Sequence, residues 1–213
     1  ADTVRAVRTA LRDRRTVVLS LPLDVQEAPA EPGGNTYLGT PSRVRPAATE
    51  VAGLATRLRQ AQRPVFIAGR GARHAGPELR ALADATGALL ATSAVAHGLF
   101  ADDPWSLGIS GGFASPRAAE LIAGADLVVA WGCALNKWTT KRWTLLPPGT
   151  IQVDDDPTAF GRHCDVAPVL GDVALTAADT LTALDGYTQD GYRTAPLGPV
   201  RWRDVEHDDR STS

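Results

Sequence analysis

Pro64-Val65-Phe66-Ile67-Ala68 runs without a charged or hydrogen-bonding side chain into the turn Gly69-Arg70-Gly71. A strand that is apolar at every position, rather than at alternate ones, is covered on both faces. Further short, largely apolar runs lie at residues 88–92, 127–131, 150–153 and 166–170. Between these runs lie helical patterns. Val51, Leu54, Ala55 and Leu58 share one face behind Thr49 and Glu50. Pro77 and Glu78 open a helix with Leu79, Leu82 and Ala83 inward and Gly87 just past its end. Ser115-Pro116 caps a helix that ends at Gly124, Asp156-Pro157 opens a short one, and Asp172 caps another through Leu184. Buried strands alternating with helices imply right-handed crossovers and a parallel sheet. Residues 47–186 are therefore expected to form a doubly wound α/β domain.

Outside that core the pattern changes. Val4, Val7 and Leu11 fall on one helical face, and residues 16–21 follow as a short apolar run closed by Pro22. One helix and one strand make no core, so this element is expected to pack on something else. Residues 28–46, rich in Pro and Gly around Gly33-Gly34-Asn35, are expected to be a linker. From Tyr187 the pattern dissolves again, and 187–213 is expected to be a second linker.

The composition narrows the class. Of 213 residues, 22 are Lys or Arg and 24 Asp or Glu, a net charge of −2. A nucleic-acid binder usually carries a basic surplus. No run approaches the ~20 apolar residues that span a bilayer, and residues 1–11 are too charged for a signal peptide. Two cysteines, Cys133 and Cys164, give neither a disulfide framework nor a zinc set. The expected setting is the cytoplasm with reduced thiols, without nucleic acid or membrane as partner. There is no methionine, and Ala1 opens inside an amphipathic pattern. Both facts suggest a piece of a longer protein.

Three strand exits could hold a ligand, because crevices in open α/β sheets lie at the carboxyl ends of strands. Gly69-Arg70-Gly71 is either a nucleotide-binding turn or a tight strand exit; the full dinucleotide fingerprint fails, since position 74 is His. At Asp154-Asp155-Asp156 three carboxylates suggest Mg²⁺ or an Asp that binds a ribose hydroxyl; Asp156 reads as the cap before Pro157, leaving Asp154 and Asp155 as candidate contacts. The third exit is Gly132-Cys133 with its following loop. Cys133 has no neighbouring His to activate it and reads as a packing residue. His163-Cys164-Asp165 is read as surface and packing, since catalytic groups are assembled in space rather than along the chain. His74, His97 and His207 show no metal spacing. No catalytic or metal residue is assigned.

The order of these pieces resembles thiamine diphosphate-dependent enzymes of the acetolactate synthase-like family. Thr16-Val17-Val18-Leu19-Ser20-Leu21-Pro22-Leu23-Asp24-Val25 resembles the strand that closes their pyrimidine-binding domain. Residues 63–71 resemble the first strand of their central domain. Ala125-Asp126-Leu127-Val128-Val129-Ala130-Trp131-Gly132 resembles a later strand. Residues 151–157, with Val169-Leu170-Gly171-Asp172, resemble its final stretch. Trp202 and Asp208-Asp209-Arg210-Ser211 resemble the approach to the diphosphate-binding domain.

The resemblance implies a six-stranded, Rossmann-like sheet of the DHS-like NAD/FAD-binding type. It divides the chain into the tail of a pyrimidine-binding domain (1–27), a linker (28–46), the central domain (47–186) and a linker toward the diphosphate-binding domain (187–213). The parent it implies is a transferase or lyase acting on a small 2-oxo acid with thiamine diphosphate and Mg, a homo-dimer or tetramer. The activating Glu and the Gly-Asp-Gly motif of that family have no counterpart here, so this stretch alone is expected to be inactive and not to bind thiamine diphosphate. Family members hold FAD, ADP or nothing in the central domain. Carried over, Gly69, Arg70, Gly71, Asn136, Thr139, Thr140, Asp154 and Asp155 are where an adenine nucleotide would touch. The Arg-Phe-Asp-Asp-Arg-like segment of flavin-binding members is replaced here by Asn136-Lys137-Trp138-Thr139-Thr140, which counts against FAD. The alternative is a stand-alone nucleotide-binding module like those of electron-transfer flavoproteins. A sirtuin-like deacylase lacks its zinc ribbon and catalytic His motif here.

Overall fold

The computed structural model describes residues 2–13, 15–30, 33 and 42–204. The chain divides into two compact units, Ala1–Arg43 and Val44–Ser213. In the first, α1 (Asp2–Asp13) and α2 (Leu23–Glu27) are helices and none of the described residues is buried. The strand expected at residues 16–21 is not formed. A strand exists only through its ladder, and among the described residues of this unit no second strand offers one; Val18 stands 87% exposed. Pro22 instead starts α2, its carbonyl accepting from the N–H groups of Val25 and Gln26. Of the 28–46 stretch, Gly34 and Asn35 lie outside the described residues, as do His207 and residues 208–211.

The second unit is a parallel sheet of six strands: β1 (Pro64–Ala68), β2 (Leu89–Thr92), β3 (Ser106–Ile109), β4 (Leu127–Trp131), β5 (Ile151–Asp154) and β6 (Ala167–Leu170). Their order is β3-β2-β1-β4-β5-β6. The doubly wound expectation holds. β3 is an addition to the strands read from residue pattern, and the short helix expected at Asp156-Pro157 is a single 3-10 turn, Pro157–Ala159.

Alternation within the strands sends side chains to two cores. Phe66, Leu90, Val129, Trp131 and Val153 pack under α3 (Ala48–Gln60), α4 (Gly76–Thr86) and α6 (Val173–Leu184). Val65, Ile67, Leu89, Ala91, Val128 and Ala130 pack under α5 (Pro116–Ala123). Burying each large apolar side chain contributes roughly 1.5–3 kcal/mol, so β1, buried at all five positions, anchors both layers. The helix starts are held as their sequences suggest. Ser115 Oγ accepts from Ala118 N, and Asp172 Oδ1 accepts from Ala174 N and Leu175 N. Gly87 takes φ +62 at the end of α4, where a Cβ would collide with the Asp190 carbonyl.

Residues 187–204, read as linker, hold a single 3-10 turn (Trp202–Asp204) but are fastened to the unit along their length. The Tyr187 hydroxyl donates to Arg59 O, that of Tyr192 to Leu121 O, and Arg193 Nε to Ala88 O. Val200 is buried against the α5 layer, its carbonyl accepting from Ser115 Oγ, and Trp202 Nε1 donates to Phe113 O.

Candidate functional site

The carboxyl ends of the strands form one continuous rim, because the ladder runs on past them. Ser110 N donates to Thr92 O (2.8 Å), Ser93 N to Ala68 O (2.8 Å), Gly69 N to Trp131 O (2.8 Å), Gly132 N to Val153 O (2.8 Å) and Gly171 N to Asp154 O (2.9 Å). The strand order reverses at β1, so the switch point lies between the exits of β1 and β4. All three ligand stretches read from sequence come to this rim, on the neighbouring strands β1, β4 and β5.

At the β1 exit the glycines serve close approach. Gly71 N donates to Gly132 O at 3.0 Å. A Cβ on Gly71 would stand 2.9 Å from Gly132 Cα, and one on Gly132 (φ +54) would stand 2.6 Å from Gly71 Cα. A Cβ on Gly69 would meet the Gly132 carbonyl and the Cys133 backbone. Arg70 is exposed and begins a 3-10 turn, Arg70–Ala72, ahead of α4.

The β4 exit is packed inward. Leu135 adopts φ 49 and is buried. Asn136 Oδ1 accepts from Trp138 N (3.0 Å) and Thr139 N (3.1 Å), an arrangement typical of Asn at turns. Thr140 Oγ1 donates to Asn136 O (3.0 Å) and accepts from Trp143 N (2.9 Å), while Thr139 Oγ1 lies 3.5 Å from Asn136 Oδ1. Thr139 and Thr140 are both buried. The two threonines chosen as ligand contacts therefore spend their hydroxyls within their own loop.

Sequence reasoning missed what this loop leans on. The β3 exit meets it: Gly112 N donates to Trp138 O and Ser110 Oγ to Thr139 O, both at 2.8 Å. A side chain on Gly111 (φ +88) would collide with the Trp138 carbonyl. Phe113 and Trp138 stack at 6.5 Å between centroids, with Lys137 Nζ 5.5 Å from the indole. The Gly111-Gly112 pair was the available signal. Nothing local marked Ser93, whose hydroxyl is buried on the rim and has no hydrogen-bond partner.

Asp154, Asp155 and Asp156 do not converge. Asp156 Oδ1 accepts from Thr158 N (2.9 Å) and Thr158 Oγ1 (2.8 Å), the cap expected, and Asp154 Oδ1 accepts from Asp156 N (3.0 Å). Mg²⁺ needs oxygens aimed at one octahedral centre. Among the described residues no three His, Cys, Asp or Glu are grouped to hold a metal ion. This set does not fit a Mg²⁺–diphosphate.

Cys133 is buried, and desolvation pushes its thiol up to about 11, with the charge of Asp154 adding to the effect. Burial raises Cys164 as well, and Asp165 adds to that. Nucleophilic thiols are depressed rather than raised, so Cys133 acts as the packing residue its neighbours suggested. His163 and Asp165 are exposed. The rim is a packed backbone edge, and its Cys133 thiol is raised rather than activated.

The family model described as "Thiamine pyrophosphate enzyme, central domain" matches residues 51–184. A protein described as a probable 2-ketoarginine decarboxylase of Pseudomonas aeruginosa is 37% identical over 180 residues, covering 83% of this chain and 32% of the relative. Pyruvate oxidase of Lactiplantibacillus plantarum is 32% identical over 209 residues, 93% of this chain and 34% of the relative. The crystal structure of benzoylformate decarboxylase from Polynucleobacter necessarius superposes with a TM-score of 0.69 at 23% identity, covering 88% of this chain and 36% of that one. That likeness shows the fold alone. The chain spans about a third of the length of the curated relatives it matches.

Proposed function

The chain belongs to the family of thiamine pyrophosphate enzyme central domains, and from that premise we propose that it is the non-catalytic scaffold domain of a longer enzyme acting on a 2-oxo acid. The observation that carries this reading is the match over residues 51–184, which takes in most of α3, all of α4 through α6 and every strand of the sheet. In that longer protein thiamine diphosphate supplies the electron sink for cleaving or forming the C–C bond beside the carbonyl. The diphosphate and its Mg²⁺ are held by domains other than this one.

This chain's own part is mechanical. Its central strands β2, β1 and β4 are buried on both faces and its strand exits are locked to one another, which makes a stiff body able to hold two catalytic domains in fixed relation. Small displacements at a reacting centre cost large factors in rate, so stiffness here supports chemistry elsewhere. The reading carries with it a cytoplasmic setting, a dimer or tetramer built through the other domains, and decarboxylation, carboligation or acyl transfer as the reaction.

Sequencing the coding DNA on both sides tests the proposal. An activating Glu upstream, and Gly-Asp-Gly with a later Asn downstream, is the expected result. A start codon directly before Ala1 and a stop directly after Ser213 would overturn it.

A further inference from the structure

We infer that the adenine-nucleotide crevice implied by this fold is closed in this chain by its own backbone, so that neither FAD nor ADP binds at the switch point between β1 and β4. In open α/β sheets a dinucleotide's phosphates rest on unengaged N–H groups at the first strand's exit and on the first turn of the helix that follows. The strand-exit half of that cradle is taken here, as are amides of the turn that follows it. Gly69 N and Gly71 N donate to Trp131 O and Gly132 O, at 2.8 and 3.0 Å; Ala72 N donates to Gly69 O at 3.0 Å, and Ala75 N to Ala72 O at 2.9 Å. The Gly71 and Gly132 backbones lie too close for even a methyl group between them, so the two exits close directly on each other.

The helix adds its own obstacle. α4 does not follow the second glycine but begins at Gly76, after an intervening 3-10 turn. Pro77, in its first turn, brings no N–H. Glu78 sets a carboxylate in the first turn, with Oε2 buried and accepting no hydrogen bond. A phosphate approaching that end would meet a carboxylate. On the far side of the crevice, Asp154 Oδ1, where a ribose hydroxyl would donate, accepts from Asp156 N. The Thr140 hydroxyl is turned back onto Asn136 O. The strand-exit amides, the Asp154 carboxylate and the Thr140 hydroxyl of the expected site are thus engaged within the fold. The inference does not depend on the reaction of the longer protein, so the two can fail separately.

Two measurements on the 213-residue chain test it. Calorimetric titration with FAD and with ADP should give no saturable binding up to about 1 mM. Amide hydrogen exchange should show Gly69 and Gly71 protected as in the strand interiors, with protection unchanged by either nucleotide. The protection also shows that a null titration comes from a folded sheet. The variant Glu78→Gln should remain unable to bind, because the backbone donors stay engaged. Saturable binding of either nucleotide below that limit, exchange of Gly69 and Gly71 at free-amide rates, or binding gained by Glu78→Gln would each overturn the inference.

Discussion

Replacing Gln189 by alanine removes a carboxamide that ties the 187–204 segment to the ends of two helices. Its Nε2 lies 3.2 Å from Leu58 O, 3.0 Å from Ala61 O and 3.2 Å from Thr86 O, and its Oε1 lies 3.0 Å from the Tyr187 hydroxyl, whose one proton it shares with Arg59 O. These carbonyls belong to the last turns of α3 and α4 and to Ala61 just past α3, where intrahelical partners run out. Two N–H hydrogens shared among three acceptors amount to about two full bonds, and each contributes roughly 0.5–1.5 kcal/mol, so Gln189→Ala should cost about 1–3 kcal/mol. Gln189→Glu should cost more at neutral pH, because it faces a carboxylate with three carbonyl oxygens. That environment raises the new carboxyl's folded-state pKa, so the penalty is fully present above that raised value and shrinks as pH falls toward the ordinary glutamate range near ~4.3. Urea unfolding followed by tryptophan emission reads both variants, with unchanged m-values as the check on two-state behaviour. Midpoints indistinguishable from the parent chain in both variants would refute the claim that residues 187–204 are structurally part of this unit.

Other expectations follow from single contacts. Gly132→Ala forces a Cβ to 2.6 Å from Gly71 Cα at φ +54, and should lower stability by at least about 1–3 kcal/mol in a thermal melt; a neutral result would mean the two exits can separate. Asp172→Ala, which removes the acceptor for Ala174 N and Leu175 N, should cost about 0.5–2 kcal/mol in the same assay, with Asn retaining most of the cap. Phe66→Ala empties a fully buried site packed edge-on against Trp131 at 5.4 Å, and about 3–5 kcal/mol should be lost. Because the Cys133 thiol is raised to about 11 from 9.0, its contribution to stability is intact below 9.0 and should fade as pH rises toward 11, where the unfolded thiol ionises first. A thiol reagent at neutral pH should therefore modify Cys164 before Cys133; faster modification of Cys133 would contradict its burial.

Much of the sheet could be read directly. β1 and β4 are apolar at all five positions, and Pro77, Ser115-Pro116, Gly87 and Asp172 mark helix ends by local chemistry alone. β3 escaped because Ser106-Leu107-Gly108-Ile109 is an edge strand of four residues, with Gly108 at φ +77 and a register irregularity opposite Leu90 and Ala91. Residues 16–21 misled in the opposite direction: strand propensity is local, but a strand needs a partner. The 187–204 segment has no periodicity because its attachment is made by single side chains such as Gln189 and Trp202. At the rim, sequence located the turns but not their use. A glycine signals that backbone comes close to something, and whether that is a phosphate or Gly132 depends on a strand some sixty residues away.

The claim that this domain supports catalysis without performing it is tested most directly by titrating the 213-residue chain with thiamine diphosphate and Mg²⁺ and assaying it on a panel of 2-oxo acids, beside the longer polypeptide encoded around it. The account predicts neither binding nor turnover by the chain, and thiamine diphosphate-dependent turnover by the longer protein. Saturable binding and turnover by the 213-residue chain itself would contradict it.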